Sequence, residues 1–194
     1  MTTPRLRLLI ADDESIRLLN LKMQLESLGF EVIGEANDGL EAVDLAKRVR
    51  PDLIIMDIRM PNMDGIEAAK EITALQPVPI ILITAFNERE LAERASEAGI
   101  FGYLMKPVSE NDLLPAIMLA MTRFKEFEEM RRDLADLRDA LETRKLVEQA
   151  KGILMERQNL GEADAFRKLQ QLSQRENKKM ADIARAIIMA SKLM

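Results

Sequence analysis

The run Leu53-Ile54-Ile55-Met56, closed by Asp57 and bounded by Pro51-Asp52 and Pro61-Asn62, limits what this chain can become more than any other segment. Four apolar residues without alternation read as a strand covered on both faces, and such strands belong to parallel sheets held between helix layers. The surrounding sequence repeats the pattern. Strands are expected over residues 6–11, 31–35, 53–57, 79–84 and 102–105, with helices over 15–28, 40–49, 64–75 and 88–98 between them. Gly29, Gly39, Gly65 and Gly99 mark the junctions. Right-handed crossovers then predict a doubly wound α/β fold with a five-stranded parallel sheet. The chain has 194 residues, enough for one such domain and a smaller second one.

Composition narrows the chemistry. There is no cysteine, so disulfides and thiol chemistry are excluded. There is no histidine either, which removes Ser–His and Cys–His nucleophile pairs, histidine-ligated zinc and a phosphohistidine within this chain. A metal site would have to use oxygen ligands and would favour a hard cation such as Mg²⁺. No apolar stretch is long enough to span a bilayer and no signal peptide pattern follows Met1, so the expectation is a cytoplasmic protein without a membrane partner. The net charge of −5 conceals an asymmetry. From Arg144 onward 11 Lys/Arg face 6 Asp/Glu, leaving 17 basic against 27 acidic residues before it. An acidic front and a basic tail suggest two tasks, the second with a polyanion.

In a sheet of order 2-1-3-4-5, the first and third strands are neighbours, so Asp12 and Asp13 converge with Asp57 at the switch point. Their repulsion, about 4 kcal/mol per pair at 4 Å and an effective dielectric of 20, becomes tolerable around a divalent cation. Thr84 ends the fourth strand and Lys106 the fifth, adding a hydroxyl and an ammonium to the same rim. Taken singly each has an ordinary explanation: Asp-Asp as a helix cap, Lys before Pro as a solvated turn charge. Five of them on the tips of four strands make a phosphoryl-transfer set, with Asp57 as nucleophile and the cations neutralising the transferring oxygens.

Leu9-Ile10-Ala11-Asp12-Asp13-Glu14, Met56-Asp57-Ile58-Arg59-Met60-Pro61, Ile83-Thr84-Ala85 and Tyr103-Leu104-Met105-Lys106-Pro107 resemble the receiver domain of two-component response regulators over residues 1–120. The resemblance implies that Asp57 accepts a phosphoryl group from a sensor histidine kinase. It also implies that Asp13, Asp57 and the Arg59 backbone carbonyl ligate Mg²⁺, with Asp12 acting through water. Thr84 and Lys106 would contact the phosphoryl oxygens, and Tyr103 would swing with Thr84 as a switch. Such a domain assists its own phosphorylation and dephosphorylation and is not a turnover enzyme on an external substrate.

Beyond residue 120 the pattern is helical. Phe127, Met130, Leu134, Leu137 and Leu141 step by 3, 4, 3 and 4, an a/d seam able to pair two chains or to pack on its own chain. Residues 121–143 are expected to be a stalk, and 144–194 a three-helix unit with later helices over 162–175 and 178–193. Asn177 reads as an N-cap of the last helix. Gly152 inside a helix costs about 1 kcal/mol relative to Ala, which predicts a close packing contact there.

The stretch from Arg144 to Met155, with Ala163, Phe166, Leu169, Ala181, Ile183 and Ala184, resembles the ANTAR output domain over residues 130–194. Gly161 departs from the hydroxyl or acidic cap expected there. The resemblance implies binding of RNA stem-loops in a leader transcript and antitermination of transcription; the seam over Phe127–Leu141, with the rim and the charge split, adds the expectation of a homodimer on activation. Arg144, Lys145, Lys151, Arg157, Arg175, Lys178, Lys179 and Arg185 supply positive charge for RNA, and Gln149 and Asn177 can reach loop bases, though each also reads as a solvated helix-face residue. The alternatives are a DNA-binding regulator using its last two helices, or a protein-interaction output without nucleic acid.

Overall fold

The computed structural model describes residues 5–85 and 99–192, and the helix expected over 88–98 lies outside them. Five parallel strands, β1 (Arg7–Ala11), β2 (Glu31–Ala36), β3 (Leu53–Asp57), β4 (Ile80–Thr84) and β5 (Ile100–Met105), pair in the order β2-β1-β3-β4-β5. The doubly wound order expected from the sequence is the order found. β3 lies at the centre and is buried along its whole length, as its unbroken apolar run requires.

Successive side chains of a strand point to opposite faces, and each face has its own cover. Leu9, Ala11, Ile54, Met56, Ile80 and Leu82 pack beneath α2 (Gly39–Val49) and α3 (Gly65–Leu75). Leu8, Ile10, Leu53, Ile55, Ile81 and Ile83 pack against α1 (Ser15–Ser27) and, through Leu113, Ile117 and Ala120, against the first turns of α4 (Glu110–Gln158). The helices that follow β2 and β3 start on acidic caps. Asp38 accepts from the Glu41 N–H, and Asp64 forms a full capping box with Glu67. Gly65 is needed at the entry to α3 because a Cβ there would run into the Asp57 carbonyl oxygen.

α4 is 49 residues long and passes through both expected domain boundaries without a break. Ser109 starts it, its backbone N–H and Oγ both donating to Asp112. Pro115 is its sixth residue, past the first turn, so it removes one main-chain hydrogen bond from the second turn without ending the helix. The chain divides into two compact units after Glu128. In the second, the last part of α4 packs with α5 (Glu162–Glu176) and α6 (Met180–Lys192) around Val147, Ala150, Leu154, Ala165, Leu169, Ile183 and Ala184.

Two local expectations are corrected and a third gains a detail. Asn177 does not cap α6; it ends α5 in the left-handed region (φ 51°), its N–H returning to Ser173 and Gln174, because Asn tolerates positive φ where a helix must turn. Gly152 makes no close packing contact, since a Cβ there would meet only open space. Phe127 is not simply a seam position. Its ring meets Phe101 edge-on at 5.8 Å, beside the Phe101–Phe124 pair at 5.3 Å. Phe101 is the extra residue of an irregularity in the β4–β5 register, and that places its ring where α4 passes.

Candidate functional site

The carboxylates of Asp12, Asp13 and Asp57 each place an oxygen within 4.8 Å of the others. Parallel pairing of β1 with β3 brings this about, aligning Ala11 with Met56 so that the residues just beyond that pair share one edge. Asp12 and Asp57 are buried at 3% exposure each, while Asp13 faces solvent. The Lys106 ammonium reaches in from the end of β5, 2.5 Å from Asp57 Oδ2 and 3.7 Å from Asp12 Oδ2. Its place is fixed by the main chain, for the Lys106 N–H donates to the Thr84 carbonyl at 2.9 Å. Burial pushes the Asp57 carboxyl above its ordinary value, with Asp12 adding to the effect and Lys106 and the Arg59 N–H opposing it.

Thr84 follows Ile83, which is level with Asp57 across the β3–β4 pair, and its hydroxyl donates to the Ala85 carbonyl. Tyr103 pairs with Leu82 one strand over, is 44% exposed, and its phenol is pushed up by partial burial. The Arg59 N–H donates to Asp57 Oδ1 at 3.4 Å. Three acids and an ammonium therefore meet on one sheet edge, with the Thr84 main chain holding that ammonium's strand. Only hard oxygen donors are present in the acidic cluster, which suits Mg²⁺.

One residue of this site escaped the sequence reading. Arg17, in the first turn of α1, donates from Nε to Asp12 Oδ1 at 3.1 Å and from Nη2 to Asp13 and Glu14, at 3.3 and 2.6 Å. The available signal was a basic residue four places after Asp13 on a helix, a spacing that is ordinary on any surface helix. Beside it a cavity of about 430 Å³ opens, lined among others by Asn20, Gln24, Lys106 and Val108.

In the second unit the nucleic-acid candidates separate. Arg144, Lys145, Gln149, Arg157, Arg175, Asn177, Lys178 and Lys179 are exposed. Arg157 also donates to the Ser191 carbonyl, and Lys178 pairs with Glu176. Lys151 sits elsewhere: its side chain is 9% exposed and its ammonium bridges Glu148 at 3.0 Å and Glu162 at 2.7 Å. That geometry makes it a tie between α4 and α5. Met130, Leu134, Leu137 and Leu141 are all exposed. Among the described residues no helix is long and apolar enough to cross a membrane.

Residues 8–118 match the response regulator receiver domain and residues 135–188 match the ANTAR domain. The chain belongs to the response regulators, with a receiver domain followed by an ANTAR output domain. It is similar to the transcriptional regulatory protein PdtaR of Mycobacterium tuberculosis (strain ATCC 25618 / H37Rv), at 46% identity over 94% of this chain and 89% of that protein. The chemotaxis protein CheY of Thermotoga maritima is 38% identical over 57% of this chain and 93% of its own. Among solved structures, a response regulator receiver domain protein from Clostridium thermocellum superposes with a TM-score of 0.58 at 34% identity, covering 63% of this chain and 98% of its own. The CheX-CheY-BeF3-Mg+2 complex from Borrelia burgdorferi gives 0.56 at 30%, covering 58% and 87%.

Proposed function

We propose that this response regulator is phosphorylated on Asp57 by a sensor histidine kinase and, in that state, binds RNA stem-loops and antiterminates transcription. The observation that carries the first half is the Asp57 carboxylate at the tip of the central strand, with Lys106 at 2.5 Å and Asp12 and Asp13 beside it. An ionised carboxylate needs no base to act as nucleophile. One Asp57 oxygen would attack the phosphorus of the kinase phosphohistidine, forming an acyl phosphate as the P–N bond breaks and the imidazole leaves. Lys106 is placed to move from the carboxylate to a phosphoryl oxygen, and the Thr84 hydroxyl to exchange its carbonyl partner for another. Asp13, Asp57 and the Arg59 carbonyl would hold Mg²⁺, with Asp12 behind a water, and the bound ion would neutralise charge on the transferring oxygens. The related CheY complex from Borrelia burgdorferi contains BeF3 and Mg+2, which supports this assignment.

The domain so described assists its own modification and turns over no external substrate. Ile16, Leu19 and Met23 expose an apolar stripe on α1 beside the site, a surface suited to the donor protein. In the test, the full chain is incubated with acetyl phosphate and Mg²⁺ and its intact mass measured. The expected outcome is one added phosphoryl group in the wild type and none in Asp57→Asn; an unmodified wild type refutes the assignment.

The output reading rests on the ANTAR match, on the basic excess after Arg144 and on the exposure of Arg144, Lys145, Gln149, Arg175, Asn177, Lys178 and Lys179. The module has almost no aromatic side chain for stacking, so charge and loop shape would carry recognition. Activation would pair two chains through Met130, Leu134, Leu137 and Leu141, with Phe127 released from Phe101 to complete the seam.

A further inference from the structure

We infer that Arg17 is the built-in counter-cation of the acidic rim, a residue that competes with the divalent ion for Asp13 and sets how tightly Mg²⁺ binds. The inference rests on the Mg²⁺ reading above and goes beyond it, since nothing in that reading gives Arg17 a role.

A single guanidinium bonds three consecutive acidic side chains, those of Asp12, Asp13 and Glu14. Two of these, Asp13 and Glu14, lie four and three residues away at the same helical start, where surface pairs are common and weak. The third does not fit that description. Asp12 is five residues from Arg17, and its side chain is 4% exposed, so the pair reaches from the surface into the rim. Asp12 is then shared between two cations. Oδ1 takes the Arg17 Nε and the Glu14 N–H, while Oδ2 faces Lys106. A lysine at this position would keep the charge but lack the planar fork whose donors reach the three carboxylates from fixed directions.

Asp12, Asp13 and Asp57 carry three negative charges, and Lys106 and Arg17 return two. A divalent cation entering this cluster must draw the Asp13 oxygen away from the guanidinium and then sits beside a residual positive charge. Both effects weaken its binding. Arg17 is 38% exposed, so it can turn toward solvent or remain on Glu14 when Asp13 is taken. The role is that of a positioning residue. It keeps the acids together without metal and sets a threshold that the ion must pass.

The test is a calorimetric titration of MgCl₂ into the full chain at low ionic strength, with wild type, Arg17→Gln, Arg17→Ala and Arg17→Lys compared and melting curves recorded with EDTA and with saturating Mg²⁺. Removing the charge in Arg17→Gln or Arg17→Ala should tighten Mg²⁺ binding about tenfold, the size expected for one charge acting on a divalent ion across a partly solvated site. Arg17→Lys should stay nearer the wild type. The two neutral variants should melt lower in EDTA and gain more from Mg²⁺ than the wild type does. A helix-stabilising role alone would lower the melting point in both conditions and leave the dissociation constant unmoved. Unchanged or weaker Mg²⁺ binding in the neutral variants, with a normal wild-type titration, overturns the inference and leaves the metal reading intact. Absence of Mg²⁺ heat and of any melting shift in every protein overturns the metal reading, and this inference with it.

Discussion

Two glycines in this chain have opposite physical meanings. Gly65 opens α3 directly against the Asp57 carbonyl, so a methyl group there must push the strand tip that bears the proposed acceptor. Gly65→Ala should destabilise the receiver by about 1–3 kcal/mol, as overpacking usually does, and slow phosphorylation from acetyl phosphate. Gly152 faces open space in the last part of α4, so Gly152→Ala should stabilise the second unit by about 1 kcal/mol of helix propensity. Differential scanning calorimetry of the two variants reads both effects. The sequence pointed to a close contact at Gly152 and showed Gly65 as a simple junction, because a glycine's neighbours across the fold leave no mark in its local pattern. Lys151 carries the same lesson. Its charge and spacing suggested a surface contact, yet Glu162, eleven residues on, claims it. That pairing holds the Glu162 carboxyl below its ordinary value near 4.5. The stability it lends is therefore present above that value and lost as the pH falls through the lower, folded one. The second unit should melt lower as the pH drops below 4.5, and Glu162→Gln should flatten that acid dependence.

At the scale of elements, α4 differs most from a reading by segments. The receiver's last helix, the stalk and the first helix of the output unit form one helix because no Pro or Gly interrupts residues 116–151 and Gly152 alone is too weak a break. The strands, by contrast, were legible to within a residue or two. Runs such as Leu53–Asp57 suit a parallel sheet covered on both faces, and the order found is one of the common doubly wound orders that right-handed crossovers allow. What the periodicity of the seam could not show is that Phe127 already has a partner in Phe101, since β5 and α4 meet only in the folded sheet. The remaining seam gives a direct outcome. Leu134→Asp with Leu137→Asp should leave the phosphorylated chain monomeric by sedimentation velocity without changing the mass added to Asp57. Phe101→Ala should shift the unphosphorylated chain toward dimer, because it frees Phe127.

For the whole molecule, the acidic rim and the basic helices are separate constellations on one chain, and a phosphoryl group on Asp57 is what would join them. The rim was readable because five residues of three types, Asp, Thr and Lys, sat on the tips of four strands that a doubly wound sheet brings to one edge. Arg17 was not, because its partner Asp12 is brought to it by the loop after β1 rather than by helical spacing. The proposed RNA contacts predict a steep salt dependence, and Lys178→Ala with Lys179→Ala should weaken binding uniformly across sequences and reduce the salt slope by about two. The most direct test measures filter binding of a paired stem-loop RNA, with duplex DNA as competitor, to the full chain with and without acetyl phosphate and Mg²⁺, alongside Asp57→Asn. The predicted result is tighter RNA binding only in the phosphorylated wild type, resistant to duplex DNA. RNA binding indifferent to phosphorylation, or displaced equally well by duplex DNA, would contradict it.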